Sequence, residues 1–146
     1  MDRLSVLIHQ HSPFHQIHLH QVLNAQGVFD VRVTDDLALA CAWLERDRPL
    51  DLLVVDHGLR STEGQRLIER LACTHGARAV LFVGHPRDGE RDLARQAQAL
   101  GLWVLGELDW PLSPRALAQH LHTLRRSHPL ARWQCQQTVM AMSHAR

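Results

Sequence analysis

The run Asp51–Asp56, with the sequence DLLVVD, decides the fold of this chain. Its four central residues are apolar, which is typical of a strand buried on both faces of a parallel sheet. Asp56 comes at the end of that strand, and open α/β sheets place their chemistry at the carboxyl edge of their strands. Asp56 is therefore the first candidate functional residue, and Gly64 is expected to close the loop that follows it.

Four further apolar runs accompany this one, and each of the five is followed by a stretch with helical spacing. The predicted strands are residues 4–8, 29–33, 51–55, 79–83 and 103–105. The apolar residues after each strand recur three and four positions apart, as they do in amphipathic helices. Five strand–helix alternations predict an α/β fold, in which a doubly wound parallel sheet carries helices on both faces and the crossovers are right-handed.

Short polar residues mark the expected ends of the helices. Ser12 and Ser113 each precede a proline, and this pair suits the cap and the first turn of a helix. Thr34 is expected to cap the second helix, with Asp36 in its first turn. Gly76 is expected to end the third helix.

Length and composition are those of one globular domain. The chain has 146 residues, of which 45% are hydrophobic, so it can bury one core but not two. Its net charge of +1 gives no long-range field for nucleic acid, and no stretch approaches the roughly 20 apolar residues of a membrane helix. Cys41 and Cys73 lie on apolar helical faces and are expected to be buried thiols. The absence of a signal peptide favours the cytoplasm.

The strand–helix pattern stops before the chain does. We therefore expect a domain of residues 1–126 and a C-terminal extension of residues 127–146. Leu130, Trp133 and Met140 recur at roughly helical spacing in the extension. It is expected to be either an additional helix that packs or dimerises, or a frayed tail of the kind that chain ends favour.

Residues 4–126 resemble the receiver domain of two-component response regulators, a flavodoxin-like fold with strand order 2-1-3-4-5. The similarity rests on the strand that ends at Asp56, on Gly64 eight residues later, and on the turn Trp110-Pro111 into the last helix. The stretch before that turn is also similar to receivers that are joined to cyclic-di-GMP phosphodiesterases of the EAL type.

The resemblance implies phosphoryl transfer from a histidine to Asp56. In receivers, two acidic residues after the first strand help to hold Mg²⁺, a Ser or Thr after the fourth strand takes a phosphate oxygen, and a lysine pairs with the phosphate. Here the acidic pair aligns with Gln10 and His11, the hydroxyl position with Gly84, and the lysine position with Trp110. The chain contains no lysine at all.

These departures decide the expected function. Losing one preorganised electrostatic partner costs about 2.7–4 kcal/mol of transition-state stabilisation, and several are lost here. We therefore expect a pseudo-receiver, which is a signalling module rather than an enzyme, acts through protein contact, and binds neither Mg²⁺ nor another cofactor. One alternative is a working receiver that is phosphorylated on Asp56 through an unorthodox site. Another is a metal or small-molecule sensor on the same fold.

The expected partner is another protein or a second copy of the chain. Tryptophan is strongly enriched among binding hot spots, and receivers commonly pair through the face formed by helix 4, strand 5 and helix 5. Trp103, Trp110 and Leu112 are therefore the candidate interface residues. Nucleic acid and membrane are not expected as partners.

Five histidines crowd the first strand and the helix after it: His9, His11, His15, His18 and His20. A transition-metal site that joins His11, Asp56 and one more ligand is conceivable, but only two ligands are expected to converge, so no metal site is predicted. The pair Asp56-His57 partly matches the Asp-x-His-x-x-Gly signature of cobalamin-binding domains. Its histidine is one position early, which favours a chance match.

Overall fold

The computed structural model describes residues 3–87, 89 and 92–127, so the expected extension lies outside the described residues except for Ser127. The strands are β1 Ser5–His9, β2 Asp30–Thr34, β3 Leu50–Asp56, β4 Ala77–Val83 and β5 Val104–Leu108. The helices are α1 Pro13–Ala25, α2 Leu37–Leu44, α3 Ser61–Thr74, α4 Leu93–Ala99 and α5 Pro114–Arg126.

The five strands form one parallel sheet in the order β2-β1-β3-β4-β5, which confirms the predicted flavodoxin-like α/β fold. The central strands β1, β3 and β4 have apolar middles because both of their faces are covered, and their polar residues lie at or near the strand ends. Asp56 pairs in register with Val83 at the carboxyl edge. Between β4 and β5 the register shifts at Val80 and Leu81.

Two apolar cores lie on opposite faces of this sheet, because successive residues of a strand point to opposite sides. Leu52 belongs to the core under α1 and α5, whereas Leu53 belongs to the core under α2, α3 and α4. The fully buried leucines of the flanking helices are Leu19, Leu23, Leu44, Leu67, Leu71, Leu93, Leu117, Leu121 and Leu124. No helix in the described part of the chain is long and apolar enough to cross a membrane.

The edge strand β2 differs from its prediction. Phe29 precedes the strand and is 75% exposed, and Val33 is 39% exposed. An apolar run predicts a strand, but it does not tell an edge strand from a central one. β2 pairs only with β1, so its outer side has no neighbouring strand.

The cap of α2 is also different. Asp36, not Thr34, is the N-cap, and its Oδ1 accepts the N–H of Ala38 at 2.8 Å. Thr34 is the last residue of β2, where its hydroxyl accepts the N–H of Asp36 at 3.0 Å. Thr34 and Asp36 can both cap a helix. Thr34 pairs with His9 and so remains part of β2, which leaves Asp36 as the cap of α2.

Gly64 and Gly76 have packing roles rather than the predicted roles at loop and helix ends. Gly64 lies in the first turns of α3, where a Cβ atom would meet Leu93 Cδ1 at 2.5 Å. Gly76 follows α3, and a Cβ there would lie 2.1 Å from the backbone oxygen of Leu44. Cys73 is exposed, contrary to prediction, because it lies on the outer side of α3; Cys41 is half-buried.

The amino-terminal end of the sheet is tied by a charged network. Asp51 accepts the N–H of Ser5 at 2.8 Å through Oδ2, and Arg78 Nη1 at 2.8 Å through Oδ1. Arg78 Nη2 donates to the backbone oxygen of Leu124 at 3.2 Å and to that of Ser127. One arginine thereby links β3, β4 and the end of α5.

Candidate functional site

Asp56 is the last residue of β3 and its side chain is half-buried at the carboxyl edge of the sheet. Its Oδ1 accepts the N–H of Gly58 at 2.8 Å, so the carboxylate binds its own loop in an Asx-turn. Gly84 follows β4 and reaches the same place, since a Cβ on Gly84 would lie 3.2 Å from Asp56 Oδ1.

Trp110 occupies the other side of Gly84. A Cβ on Gly84 would lie 3.0 Å from the indole Nε1 of Trp110. The backbone of Gly84 has φ +85°, a conformation that side chains rarely adopt. A serine or threonine at this position would therefore meet both backbone strain and the indole ring.

The indole is held in place from α1. Trp110 stacks on His15 with ring centroids 3.8 Å apart and planes 7° apart, and His18 lies at 6.0 Å. The cis peptide bond between Trp110 and Pro111 leads into α5. The cleft beside Asp56 is thus bounded by the stacked rings of His15 and Trp110.

The other two interface candidates have different surroundings. Trp103 is half-buried against the core under α1 and α5. Leu112 is only 6% exposed and belongs to the same core. Its side chain therefore offers little surface to a partner.

Gln10 directly follows β1 and is 1% exposed. Its Oε1 accepts the N–H of Ser12 at 3.1 Å, which uses its oxygen locally. Its Nε2 has no hydrogen-bond partner among the described residues. Mg²⁺ requires several oxygen ligands in octahedral geometry. The residues around Asp56 do not fit that ion, since Gln10 points its oxygen to the backbone and His11 offers nitrogen.

His11 turns towards α3. Its Nε2 lies 2.8 Å and 3.0 Å from the two carboxylate oxygens of Glu63, in the first turn of α3. His9, the last residue of β1, is fully buried, and its Nε2 lies 3.3 Å from Glu63 Oε1. Burial lowers the pKa of His9 despite the nearby Glu63, so its contact with the carboxylate is a hydrogen bond of a neutral ring.

A second histidine–glutamate contact lies on the other side of Asp56. His57 is 1% exposed and stacks on Phe82 with centroids 4.9 Å apart. Its Nε2 lies 2.6 Å from Oε1 of Glu107 on β5, and its buried Nδ1 has no partner in the described chain. Because that ring is enclosed, it does not present a nitrogen for a corrin cobalt.

The structure separates the histidines that the sequence places together. His15 and His18 contact Trp110, and His20 contacts the amide of Asn24 at 3.2 Å. Only His9 and His11 converge, and their third neighbour is Glu63 rather than Asp56. Sequence reasoning missed Glu63 and Glu107. The available signal for Glu63 was its place one residue before Gly64, in the turn that follows the Asp56 loop.

No protein-family model and no curated protein sequence matches this chain. Solved structures do resemble it. A response regulator from Colwellia psychrerythraea has 17% identity and a TM-score of 0.68, over 86% of this chain and 98% of that chain. A magnesium-bound receiver domain of a sensor histidine kinase from Pseudomonas aeruginosa has 19% identity and a TM-score of 0.66, over 86% and 100%.

A protein from Burkholderia pseudomallei that is described as pilus assembly-related has 25% identity and a TM-score of 0.63, over 84% of this chain and 90% of that chain. Topology, the position of Asp56 and these similarities agree. The chain has the CheY-like fold of response-regulator receiver domains.

Proposed function

We propose that the chain is a receiver module of two-component signalling that acts through protein contact, without phosphorylation of Asp56 and without Mg²⁺. One observation carries this proposal. Gly84 and Trp110 stand where a receiver has its hydroxyl and its lysine, and the indole lies within contact distance of any side chain added at Gly84. The pocket therefore has neither a hydroxyl nor a cation at these two positions, and the donor that Trp110 offers there is the neutral N–H of its indole.

Charge supports the same proposal. A phosphorylated Asp56 would carry about two negative charges, and neither the neutral Gln10 nor the uncharged indole edge of Trp110 would balance them. Each preorganised electrostatic partner that is missing costs roughly 2.7–4 kcal/mol in the transition state, so transfer to Asp56 is expected to be negligible.

Intact-mass spectrometry tests this expectation. The purified protein is incubated with acetyl phosphate and Mg²⁺ beside a conventional receiver as positive control, and no added phosphoryl group is expected. A phosphorylated species that disappears in the Asp56→Asn variant would contradict the proposal, and would favour the working phosphotransfer receiver instead.

We further propose that contact is made through α4, β5 and α5, in a homodimer. Trp103 and Trp110 are half-exposed near this face, and Leu100 at the end of α4 is 48% exposed. Half-exposed tryptophans can contribute large apolar area to an interface at little cost in side-chain entropy.

Sedimentation equilibrium tests this surface with a matched control. Trp110→Ala is expected to weaken self-association by about 2–4 kcal/mol, whereas Asp56→Asn leaves it unchanged. Trp43→Ala is the control, because Trp43 is also half-buried but lies on α2, stacked under Arg32 and Arg46. Equal losses from Trp110→Ala and Trp43→Ala would refute this interface.

A competing apolar surface lies on α1 and β2. Phe14 is 74% exposed, Ile17 is 59% exposed, and Ile17 shares a small groove with Val33. Ile17→Ser therefore belongs in the same sedimentation series. A larger effect of Ile17→Ser than of Trp110→Ala would move the proposed interface to α1.

Pilus assembly is a second candidate setting for the module. The pilus assembly-related neighbour has 25% identity, against 17% and 19% for the response regulator and the kinase receiver. Deletion of the gene would test it, with surface pili counted by electron microscopy. In either setting we propose that residues 1–126 form the domain and that it acts in the cytoplasm.

A further inference from the structure

We propose that His9, His11 and Glu63 form a binding site for one divalent transition-metal ion, with Zn²⁺ as the best match. The three side chains offer two imidazole nitrogens and a carboxylate, and their ligand atoms all lie within 4.8 Å of one another. This inference is independent of the function proposed above, since it concerns residues on the α3 side of Asp56.

The distances suit a tetrahedral ion. Ligands bound to zinc at about 2.0–2.2 Å stand roughly 3.3–3.5 Å apart. His9 Nε2 and Glu63 Oε1 are already 3.3 Å apart. His11 Nε2 lies 2.8–3.0 Å from the same carboxylate, so it would have to retreat by only a few tenths of an ångström. His11 is 50% exposed, which gives its ring room to do so.

The ligands stand on rigid elements. His9 is held in β1, where it pairs with Thr34 of β2 and Val55 of β3. Glu63 lies in the first turn of α3. A site whose ligands are positioned before the ion arrives loses little entropy on binding.

The chemistry of the donors selects the ion. Imidazole nitrogens favour Zn²⁺ and other late first-row ions, whereas Mg²⁺ and Ca²⁺ prefer oxygen. His9 is fully buried and its Nε2 faces Glu63. Three protein ligands leave a fourth position for water, and the exposed side of His11 provides the entry path.

The outer contacts limit the affinity. Metal-binding histidines usually donate their second ring N–H to an acceptor, and loss of that contact weakens binding about 10–100-fold. His9 Nδ1 has no acceptor within the described residues. We therefore expect micromolar rather than nanomolar binding.

The cluster of His57, Asp92 and Glu107 is the internal comparison. It has one histidine only, and Asp92 Oδ1 already accepts the N–H groups of Ala94 and Arg95 as the cap of α4. This second cluster is therefore not expected to bind a metal with comparable affinity.

Calorimetric titration of the untagged, metal-free full chain with Zn²⁺ tests the inference. One ion per chain should bind, and His11→Ala and Glu63→Ala should each weaken binding at least tenfold. His15→Ala and Glu107→Gln are the controls, because they remove a histidine near the cleft and a carboxylate of the other cluster. Both controls should bind Zn²⁺ within twofold of the unchanged chain.

Co²⁺ gives a second readout that does not depend on heat. Replacement of Zn²⁺ by Co²⁺ should produce the visible absorption of a four-coordinate ion, and His11→Ala should abolish it while still melting as a folded protein. Absence of binding below millimolar Zn²⁺, or equal losses in His11→Ala and His15→Ala, would overturn the inference. Neither result bears on phosphorylation of Asp56.

Discussion

The two ends of the parallel sheet treat buried polar groups differently. At the amino-terminal end, Asp51 and Arg78 bind each other and also satisfy backbone groups of β1 and α5. At the carboxyl end, Gln10 Nε2, His9 Nδ1 and His57 Nδ1 are buried without a partner among the residues described, and in the amino-terminal network Arg78 Nε is the only such atom among them. Unsatisfied polar groups are costly, and native proteins retain them chiefly at functional sites. The amino-terminal end holds the fold, and the carboxyl end remains available for chemistry.

The largest change in the free energy of unfolding is expected from a substitution at the amino-terminal end of the sheet. Arg78→Ala should lower the free energy of unfolding by about 2–3 kcal/mol, because it leaves the carboxylate of Asp51 largely buried without its cation. Urea denaturation measures the change. Arg70→Ala is the control, since Arg70 and Glu45 form a half-exposed pair worth at most about 1 kcal/mol. Equal losses of unfolding free energy in Arg78→Ala and Arg70→Ala would show that the Asp51–Arg78 network stabilises the fold no more than a surface ion pair does.

An intermediate effect is expected at the His57–Glu107 contact. Glu107→Ala should cost about 1–2 kcal/mol in thermal or urea unfolding, because the buried Nε2 of His57 then loses its partner. Asp109→Ala is the matched control, as Asp109 contacts the exposed His85 at 3.3 Å, and no measurable change is expected there. An unchanged midpoint for Glu107→Ala would mean that water replaces the glutamate.

The smallest effect is expected at Gln10. Gln10→Met keeps the length of the side chain, removes the unpartnered Nε2, and also removes the hydrogen bond to the Ser12 N–H. These two changes oppose each other, so the free energy of unfolding should shift by less than about 1 kcal/mol in either direction. A loss of more than about 2 kcal/mol in the free energy of unfolding would show that Gln10, at the carboxyl end of the sheet, also stabilises the fold.

The sequence predicted the sheet well because the signal is local. An apolar run such as Val80–Val83 requires cover on both faces, and five such runs alternating with helices leave one fold class. Predictions failed where two local solutions compete. Thr34 and Asp36 are both good caps, and only the pairing of β2 with β1 chooses between them.

The sequence predicted those residues of the candidate site that directly follow a strand, and it missed those that reach the site from elsewhere. Gln10 and Gly84 follow strands directly, so their positions at the carboxyl edge come from topology alone. Glu63 and Glu107 reach the site through a helix turn and through a strand whose register shifts. The His9–Glu63 and His57–Glu107 contacts join residues that are 54 and 50 positions apart in the chain. They depend on that helix turn and that register, and the sequence carries no local signal for them.

The backbone of Gly84 also couples the choice of residue at position 84 to that at position 110. Restoring a hydroxyl there by Gly84→Ser places a side chain at φ +85° and against the indole of Trp110. Changing Trp110 first removes its stack on His15 while no hydroxyl is yet present. Each single change is therefore expected to lower stability. The glycine and the tryptophan depend on each other, so a hydroxyl at position 84 requires a smaller side chain at position 110 as well.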